Sequence, residues 1–225
     1  MAAVTGVFAI LLSYLAGSVS FPYWVAKRRG VDLRAVGSRK LGGSNLWKSV
    51  GPGEAIVGGL LDAAKGFVAV LISRALGLPL EAQLACGIAA VVGQMWPVFH
   101  GFDGGRANSA GWGFALAVDP IAFVIMMLPV LAAIAMRIAI RPRPGRVLPL
   151  AALLSFAVFP AVIWEQDGTT PVVVAGLVLF ALIFIRRITA GLGADLATGA
   201  PAVRVLVNRA LFDRSELQQR GVVGI

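Results

Sequence analysis

The sequence is poor in the residues that enzymes most often use for chemistry and in those that keep a protein soluble. It has one cysteine, one histidine and only 14% charged residues. The lone Cys86 cannot form an intramolecular disulfide, and the lone His100 has no established acidic partner that would make it a general base. No group of residues has the spacing of metal ligands, so we predict neither a metal nor another cofactor.

The residues that are abundant are apolar ones, which make up 58% of the 225 residues. Soluble domains have roughly 45–50% apolar and about 25% charged residues. The composition therefore predicts an all-α, polytopic integral membrane bundle of about seven helices. We predict one domain over residues 1–200 and a tail over residues 201–225, with the first apolar segment retained as a span rather than removed as a signal peptide.

The predicted spans follow from hydropathy and from the charges and turns that bound each apolar segment. The fourth is short, so it is either a half-span or a tilted, re-entrant element. The seven segments are residues 4–26, 55–72, 84–99, 108–118, 121–136, 147–164 and 172–185.

The basic residues are unevenly distributed along this pattern, and they outnumber the acidic ones by 20 to 11. If all seven segments cross, one side receives nearly all of the lysines and arginines, and the other receives Arg74 alone. The positive-inside rule makes the first side cytoplasmic, with the N-terminus outside and the C-terminus inside. Topology thus explains the net charge of +9, and no nucleic-acid partner is expected. The tail segment VRVLVNRALFDR is either an amphipathic helix on the inner leaflet or a solvated, disordered segment.

Three short polar, glycine-rich stretches interrupt the apolar sequence: GSRKLGGSN (37–45), LLDAAKG (60–66) and GQMWPVFHGFDGGR (93–106). The predicted topology puts all three at the cytoplasmic face. Polar backbone at membrane depth persists only where it lines a cavity or is buried in protein. Glycine permits close approach of the backbone, and clustered N–H groups with nearby cations bind anions. The stretches therefore predict a phosphate site, with a flexible polar connector as the alternative for the first.

The side chains in these stretches suit a phosphate better than a metal. In the first, hydroxyl, amide and ammonium groups accompany paired glycines. In the second, Asp62 and Lys65 lie on one face of a helix, either as a functional pair or as a structural ion pair that braces the adjacent loop. In the third, Arg106 follows two glycines and can contact a phosphate with two N–H groups.

The order and spacing of these blocks resemble the acyl-phosphate-dependent glycerol-3-phosphate acyltransferases of bacterial membranes. The likeness covers residues 11–21, 32–51, 62–66 and 93–106, roughly the first half of the chain. It implies transfer of a fatty acyl group from acyl phosphate to the 1-hydroxyl of glycerol 3-phosphate, giving lysophosphatidic acid and inorganic phosphate. The implied location is the plasma membrane, with the site at the cytoplasmic face. The implied partners are these two substrates and the lipid bilayer, and the oligomeric state is left open.

The resemblance also assigns individual residues. Ser38 and Asn45 match the family's serine and asparagine, and Asp62, Lys65 and Gly66 match its DAAKG block. The implied catalytic residues are Ser38, Lys48 and Arg106. The implied substrate-binding residues are Lys40, Gly42, Gly43, Ser44, Asn45, Asp62, Lys65, Gly66, Gln94, Gly104, Gly105 and Arg187.

Some of these positions differ from the family pattern. Lys48 replaces an arginine, Gln94 replaces a histidine, and the last motif keeps Arg187 but lacks its histidine, asparagine and glutamate. A lysine keeps the charge of an arginine without its bidentate geometry, and a glutamine forms hydrogen bonds without carrying a proton. The alternative hypothesis is therefore a non-catalytic relative that binds a phospholipid, an acyl phosphate or a partner membrane protein.

Overall fold

The computed structural model describes residues 2–140, 147–166, 168–213 and 215, and over these residues it is all-helical, without a strand. The prediction of an all-α membrane bundle is thus confirmed. The helices group into two compact units that divide between Val118 and Asp119. Each unit is described by itself.

The first unit contains six helices, and its first span is interrupted. Its helices are α1 (Ala2–Gly17), α2 (Phe21–Arg28), α3 (Gly43–Ser49), α4 (Pro52–Ala75), α5 (Leu80–Met95) and α6 (Asn108–Val118), with a 3₁₀ turn at Val98–His100. The ring of Pro22 would clash with the carbonyl group four residues earlier, so α1 cannot continue through it. The Ser20 hydroxyl accepts a hydrogen bond from the Tyr23 N–H and caps α2.

Glycines set the distance between the helices of this unit. Gly17 and Gly93 lie where α1 packs on α5, and Gly66 and Gly113 lie where α4 packs on α6. A Cβ atom at any of the four would overlap the backbone of the facing helix. Small residues at such crossings let two membrane helices approach closely, so the second stretch is held against α6 and the start of the third against α1.

The second unit is a row of apolar helices with two short helices at its C-terminal end. They are α7 (Pro120–Ala139), α8 (Val147–Glu165), α9 (Thr170–Thr189), α10 (Leu192–Leu196) and α11 (Ala202–Phe212). α8 packs against both α7 and α9, and α11 packs on α8 and α9. Part of the predicted tail is therefore helical, while Arg214 of the VRVLVNRALFDR segment lies outside the described residues.

Six helical segments in the described residues are long and apolar enough to cross a membrane. They are Val4–Arg28, Pro52–Ala75, Leu80–His100, Pro120–Ala139, Val147–Glu165 and Thr170–Leu196. The predicted fourth span is α6, whose 11 residues extend for about 16 Å against a hydrocarbon core of about 30 Å. α6 is too short to cross alone. The count of seven crossings, the sidedness of the termini and the division at residue 200 stay predictions.

Candidate functional site

A buried lysine binds the backbone carbonyl groups at the interruption of the first span. Lys65 Nζ donates hydrogen bonds to the carbonyl oxygens of Gly17, at 3.1 Å, and Val19, at 2.8 Å. It also lies 2.8 Å from Asp62 Oδ1, and both side chains are at most 4% exposed. The ammonium group therefore donates to two backbone carbonyl groups and also pairs with the Asp62 carboxylate. These contacts brace α4 against the end of α1, and the substrate-binding role of the pair stays a prediction.

Gln94 completes this group from α5. Its Nε2 donates to Asp62 Oδ2 at 2.5 Å. Its Oε1 is buried and has no hydrogen-bond partner within the described part of the chain. A buried acceptor without a donor is unfavourable by about 1–3 kcal/mol. Gln94 packs together with Ser18, Gly104 and Gly105 around this oxygen, so the buried acceptor lies where the second and third stretches meet.

Asn45 organises the first glycine-rich stretch. Its Nδ2 lies within 3.2 Å of three backbone carbonyl oxygens of the loop, those of Leu33, Val36 and Lys40. Its Oδ1 accepts a hydrogen bond from the Ser38 N–H at 3.0 Å. Asn45 is 2% exposed, and these contacts are with the loop itself. The described contacts therefore make this predicted substrate-binding residue one that shapes the loop.

The third stretch folds back onto the end of α5. The N–H groups of Gly104 and Gly105 donate to the carbonyl oxygens of Met95 and Gln94, at 3.3 and 3.2 Å. A Cβ atom at Gly104 would overlap the Gln94 carbonyl group, so this close approach requires glycine. The backbone of Gly105 therefore lies against Gln94 at the end of α5.

The first and third stretches lie side by side at the break in the first span. Lys40 Nζ is 3.6 Å from Asp103 Oδ1, and Ser20 Oγ donates to the Leu41 carbonyl oxygen at 3.3 Å. Leu41 and Gly105 line the same small pocket. Together with the Asp62–Gln94 contact, these bonds bring all three glycine-rich stretches to one place.

The remaining predicted residues of the first unit differ in exposure. Ser44 and Lys48 are exposed on α3, and Ser38 is half-buried at the loop. Arg106 is half-buried next to Ala107, whose φ of 56° reverses the chain before α6. Gly42 and Gly43 are half-buried at the start of α3, and Gly66, predicted to bind substrate, lies at the crossing with α6 and has a packing role there. Lys48 and Ser44 are thus the most accessible of the predicted residues.

Arg187, the predicted substrate-binding residue of the second unit, is almost fully buried. Its guanidinium donates to three backbone carbonyl oxygens, those of Pro149, Arg209 and Leu211, at 2.7, 3.1 and 2.9 Å. These contacts hold α8, α9 and α11 together. The described geometry therefore gives Arg187 a role in the architecture of its own unit.

Sequence reasoning missed a cluster around Tyr23. The Arg34 guanidinium lies 4.9 Å from the centre of the Tyr23 ring and donates to its hydroxyl at 2.8 Å. The centre of the same ring lies 5.1 Å from the centre of the His100 ring, in a T-shaped arrangement. Hydrogen bonds from Arg34 lower the pKa of Asp32 to about 2. These residues are far apart in sequence, so no local pattern signals a cluster that joins the first loop, α2 and the third stretch.

An apolar groove of about 480 Å³ opens beside Lys65. Its walls come from α1 and α4, and it extends from Val19 and Phe21 at the break in the first span to Leu76 and Cys86. A polar, glycine-lined pocket and an apolar groove therefore share the same interrupted span. In the described residues, the His, Cys, Asp and Glu side chains form no group of three that would hold a metal ion.

This combination defines a class of protein: a polytopic helical membrane protein with a polar site next to a groove of lipid-like character. A sequence model of the glycerol-3-phosphate acyltransferase family matches residues 7–190. The chain therefore belongs to this family.

Individual relatives carry the same description. The chain is 41% identical over 118 residues to glycerol-3-phosphate acyltransferase 1 of Deinococcus radiodurans, an alignment that covers 52% of this chain and 60% of the relative. It is 30% identical over 186 residues to the glycerol-3-phosphate acyltransferase of Synechococcus sp. (strain CC9902), with 82% and 88% covered. For four of the curated relatives it matches, the chain spans only 59–62% of their length.

Two solved structures are similar over nearly the whole fold. Both are crystal structures of PlsY (YgiH), an integral membrane glycerol 3-phosphate acyltransferase, one in the glycerol 3-phosphate form and one in the lysophosphatidic acid form. Sequence identities are 28% and 27%, and the TM-score is 0.73 for each. Each comparison covers 90% of this chain and 98% of the PlsY chain.

Proposed function

We propose that this protein is a glycerol-3-phosphate acyltransferase of the plasma membrane that uses acyl phosphate as its donor. It transfers the acyl group to the 1-hydroxyl of glycerol 3-phosphate at the cytoplasmic face. Family membership supports the reaction class, and the two PlsY structures, in their glycerol 3-phosphate and lysophosphatidic acid forms, support the acceptor and the product. The observation that carries the proposal is the meeting of the three glycine-rich stretches at the break in the first span.

The cations at and near the glycine-rich stretches suit the phosphate groups of the substrates. Gln94 Oε1, a buried acceptor without a partner in the described residues, suits a hydroxyl donor of glycerol 3-phosphate and not a phosphate oxygen. In our proposal, Lys48 and Arg106 supply positive charge, and the Ser38 hydroxyl orients a phosphate oxygen. Hydrogen bonds that involve an ionised group are roughly twice as strong as neutral ones, so these residues would dominate phosphate binding.

The apolar groove suits the fatty acyl chain. Its lining is mostly aliphatic, and it begins next to Lys65, at the break in the first span. An acyl phosphate joins a phosphate head to an apolar tail, and this arrangement offers a surface for each part. The head would then lie at the glycine-rich stretches and the tail between α1 and α4.

The reaction balances without a general base from the protein. The acceptor's 1-hydroxyl oxygen attacks the carbonyl carbon of the acyl phosphate, and a new C–O bond forms. The bond between that carbon and the phosphate oxygen breaks, and the released phosphate takes up the hydroxyl proton. Catalysis then consists of positioning the two substrates and neutralising phosphate charge. A glutamine at position 94, which cannot carry a proton, is compatible with this route.

The test is product formation by purified protein in lipid bilayers. Labelled glycerol 3-phosphate is supplied with acyl phosphate, with acyl-CoA or with acyl-carrier protein, and the lipid fraction is extracted. We expect labelled lysophosphatidic acid from acyl phosphate and a strong loss in Ser38→Ala. If folded protein that binds acyl phosphate forms no more product than Ser38→Ala, the protein is the non-catalytic relative.

A further inference from the structure

The walls of the apolar groove beside Lys65 follow one face of each of two helices. On α4 the lining residues run from Lys65 to Leu76 at intervals of three and four, and on α1 they run from Ala9 to Ala16 in the same way. Residues at these intervals share one side of a helix. The groove therefore extends along both helices for about two to three turns.

Two tie points hold the walls of the groove in place. At the break in the first span, Lys65 Nζ donates to the carbonyl oxygen of Gly17 at 3.1 Å. Further along, the Cys86 thiol of α5 is hydrogen-bonded to the hydroxyls of Ser13 on α1 and Ser73 on α4. The residue number falls from 17 to 13 on α1 as it rises from 65 to 73 on α4. The two helices are therefore antiparallel, and both lead away from the break.

The lining of the groove suits a hydrocarbon chain. Ala9 and Ala69 are small and half-buried, whereas Leu12 and Ile72 are 63% and 55% exposed. Small residues at depth and larger ones at the rim leave a furrow between α1 and α4. The two serine hydroxyls on its wall donate to carbonyl groups of their own helices. The groove thus offers its occupant few hydrogen bonds and selects it mainly by shape and length.

Position along the groove corresponds to position along an acyl chain. Ala69 lies four residues beyond Lys65 on α4, about 6 Å along the helix, and Ala9 lies eight residues from Gly17 on α1, about 12 Å. An extended acyl chain advances by about 1.25 Å per carbon, because C–C bonds of about 1.5 Å form a zigzag. A chain that starts at the break therefore passes Ala69 at about its fifth carbon and Ala9 at about its tenth.

We propose that this groove determines the length of the acyl group that is transferred, and that Ala69 and Ala9 are specificity-determining residues. The inference rests on the proposed function, which places the head of the acyl phosphate at the break and its tail between α1 and α4. The small side chain of Ala69 leaves room for the middle of the tail, and that of Ala9 leaves room for its end. A bulky side chain at either position therefore shortens the longest acyl group that fits.

The test puts the same obstruction at two depths. Ala69→Phe, Ala9→Phe and the control Ala75→Phe are reconstituted as full-length proteins in lipid bilayers. Ala75 is exposed on α4 and does not line the groove. For each protein, kcat/KM is measured with butanoyl, octanoyl and hexadecanoyl phosphate. Comparison of the three donors within one variant separates an obstruction from a folding defect, because a folding defect lowers all three values alike.

The proposal predicts that Ala69→Phe lowers kcat/KM for octanoyl and hexadecanoyl phosphate by at least about 10-fold relative to butanoyl phosphate, and that Ala9→Phe does so for hexadecanoyl phosphate alone. Ala75→Phe should keep the wild-type profile. The same profile in both groove variants, whether unchanged or lowered equally for all donors, would overturn the proposal and leave the acyl transfer intact. Absence of product from wild-type protein with every donor would contradict the proposed function, and this inference with it.

Discussion

Both units bury arginines or lysines against backbone carbonyl groups, but they do so with different consequences. In the second unit Arg209 pairs with Asp195 and also binds carbonyl groups at the end of α9. In the first, Lys65 pairs with Asp62 and binds carbonyl groups at the end of α1, and the adjacent Gln94 Oε1 keeps no partner among the described residues. An apolar groove opens beside Lys65 in the first unit. A buried ion pair by itself therefore indicates a structural role. A buried hydrogen-bond acceptor that has no donor and lies close to an open groove indicates a binding site.

The largest expected effect is on stability and applies to both buried pairs. Lys65→Met leaves the Asp62 carboxylate buried without its cation, a change that typically destabilises by about 3–5 kcal/mol. The double variant Asp62→Leu/Lys65→Met removes the stranded charge and should recover most of that loss. Arg209→Met and Asp195→Leu/Arg209→Met form the equivalent pair in the second unit.

The measurement for these variants is the free energy of unfolding in detergent micelles. If a single variant and its double variant are equally unstable, the loss comes from packing, and the charge pair is not the cause. Activity sharpens the comparison further, because the double variant in the second unit should keep acyl transfer while the one in the first should not.

A smaller effect is expected from glycine packing in the first unit. Gly66→Ala puts a Cβ atom against the backbone of α6, and overpacking of this kind destabilises by about 1–3 kcal/mol. Gly53 lies in the same helix with nothing within 4 Å of an added Cβ atom. Gly53→Ala is the matched control, and thermal unfolding should show it unchanged or slightly more stable. Equal losses in both variants would contradict close α4–α6 packing.

A local effect is expected from Asn45, which shapes the first loop. Asn45→Ala removes the donor shared by three loop carbonyl groups, and a lost hydrogen bond of a buried group costs about 1–2 kcal/mol. We expect faster hydrogen exchange over residues 33–40 and a raised KM for glycerol 3-phosphate. Ser49→Ala removes only a 3.3 Å contact to Asn45 Oδ1 and serves as the milder control. Exchange that is unchanged in Asn45→Ala would show that the loop is held by other contacts.

The smallest effect concerns the exposed Asp32–Arg34 contact. The pKa of Asp32 is about 2, below the ordinary 3.8, because Arg34 donates hydrogen bonds to its carboxylate. The contact therefore stabilises the loop above about pH 3.8, and this contribution is lost as the pH falls through about 2. Titration of the Asp32 carboxyl by NMR should give a midpoint near 2, and Arg34→Gln should move it towards 3.8. An unchanged midpoint in Arg34→Gln would exclude Arg34 as the cause.

The sequence predicted the fold class well because long apolar segments have few alternatives in a membrane. It also predicted that the three glycine-rich stretches lie together, because polar backbone near apolar spans needs a cavity or a protein contact. It did not predict which contacts each single residue makes. Asn45 and Gly66 were predicted to bind substrate, and their contacts are with the loop and with α6. Those contacts depend on which segments meet in three dimensions, and a local pattern does not contain that information.

The break in the first span and the buried Arg209–Asp195 pair were missed for a related reason. Pro22 was visible in the sequence, but the carbonyl groups of Gly17 and Val19 at the break are bound by Lys65, more than 40 residues away. Asp195 lies at the end of the predicted domain and Arg209 in the predicted tail, and no local pattern links the two. Long-range pairing of ionised groups is decided by tertiary packing, so local hydropathy does not report it.

The most direct test compares the affinity for glycerol 3-phosphate of the wild-type protein with that of three variants, in each of which one lysine or arginine is replaced by alanine. Arg106→Ala removes a cation from the third glycine-rich stretch, Lys48→Ala removes one from α3 directly after the first stretch, and Lys27→Ala removes an exposed lysine of α2 as a control. A hydrogen bond to a charged group contributes about 1.5–3 kcal/mol, so we expect Kd to rise by roughly 10-fold to 150-fold in the first two variants. Lys27→Ala should leave Kd unchanged. Unchanged binding in both Lys48→Ala and Arg106→Ala, or an equal loss in Lys27→Ala, would contradict a phosphate site built from these stretches.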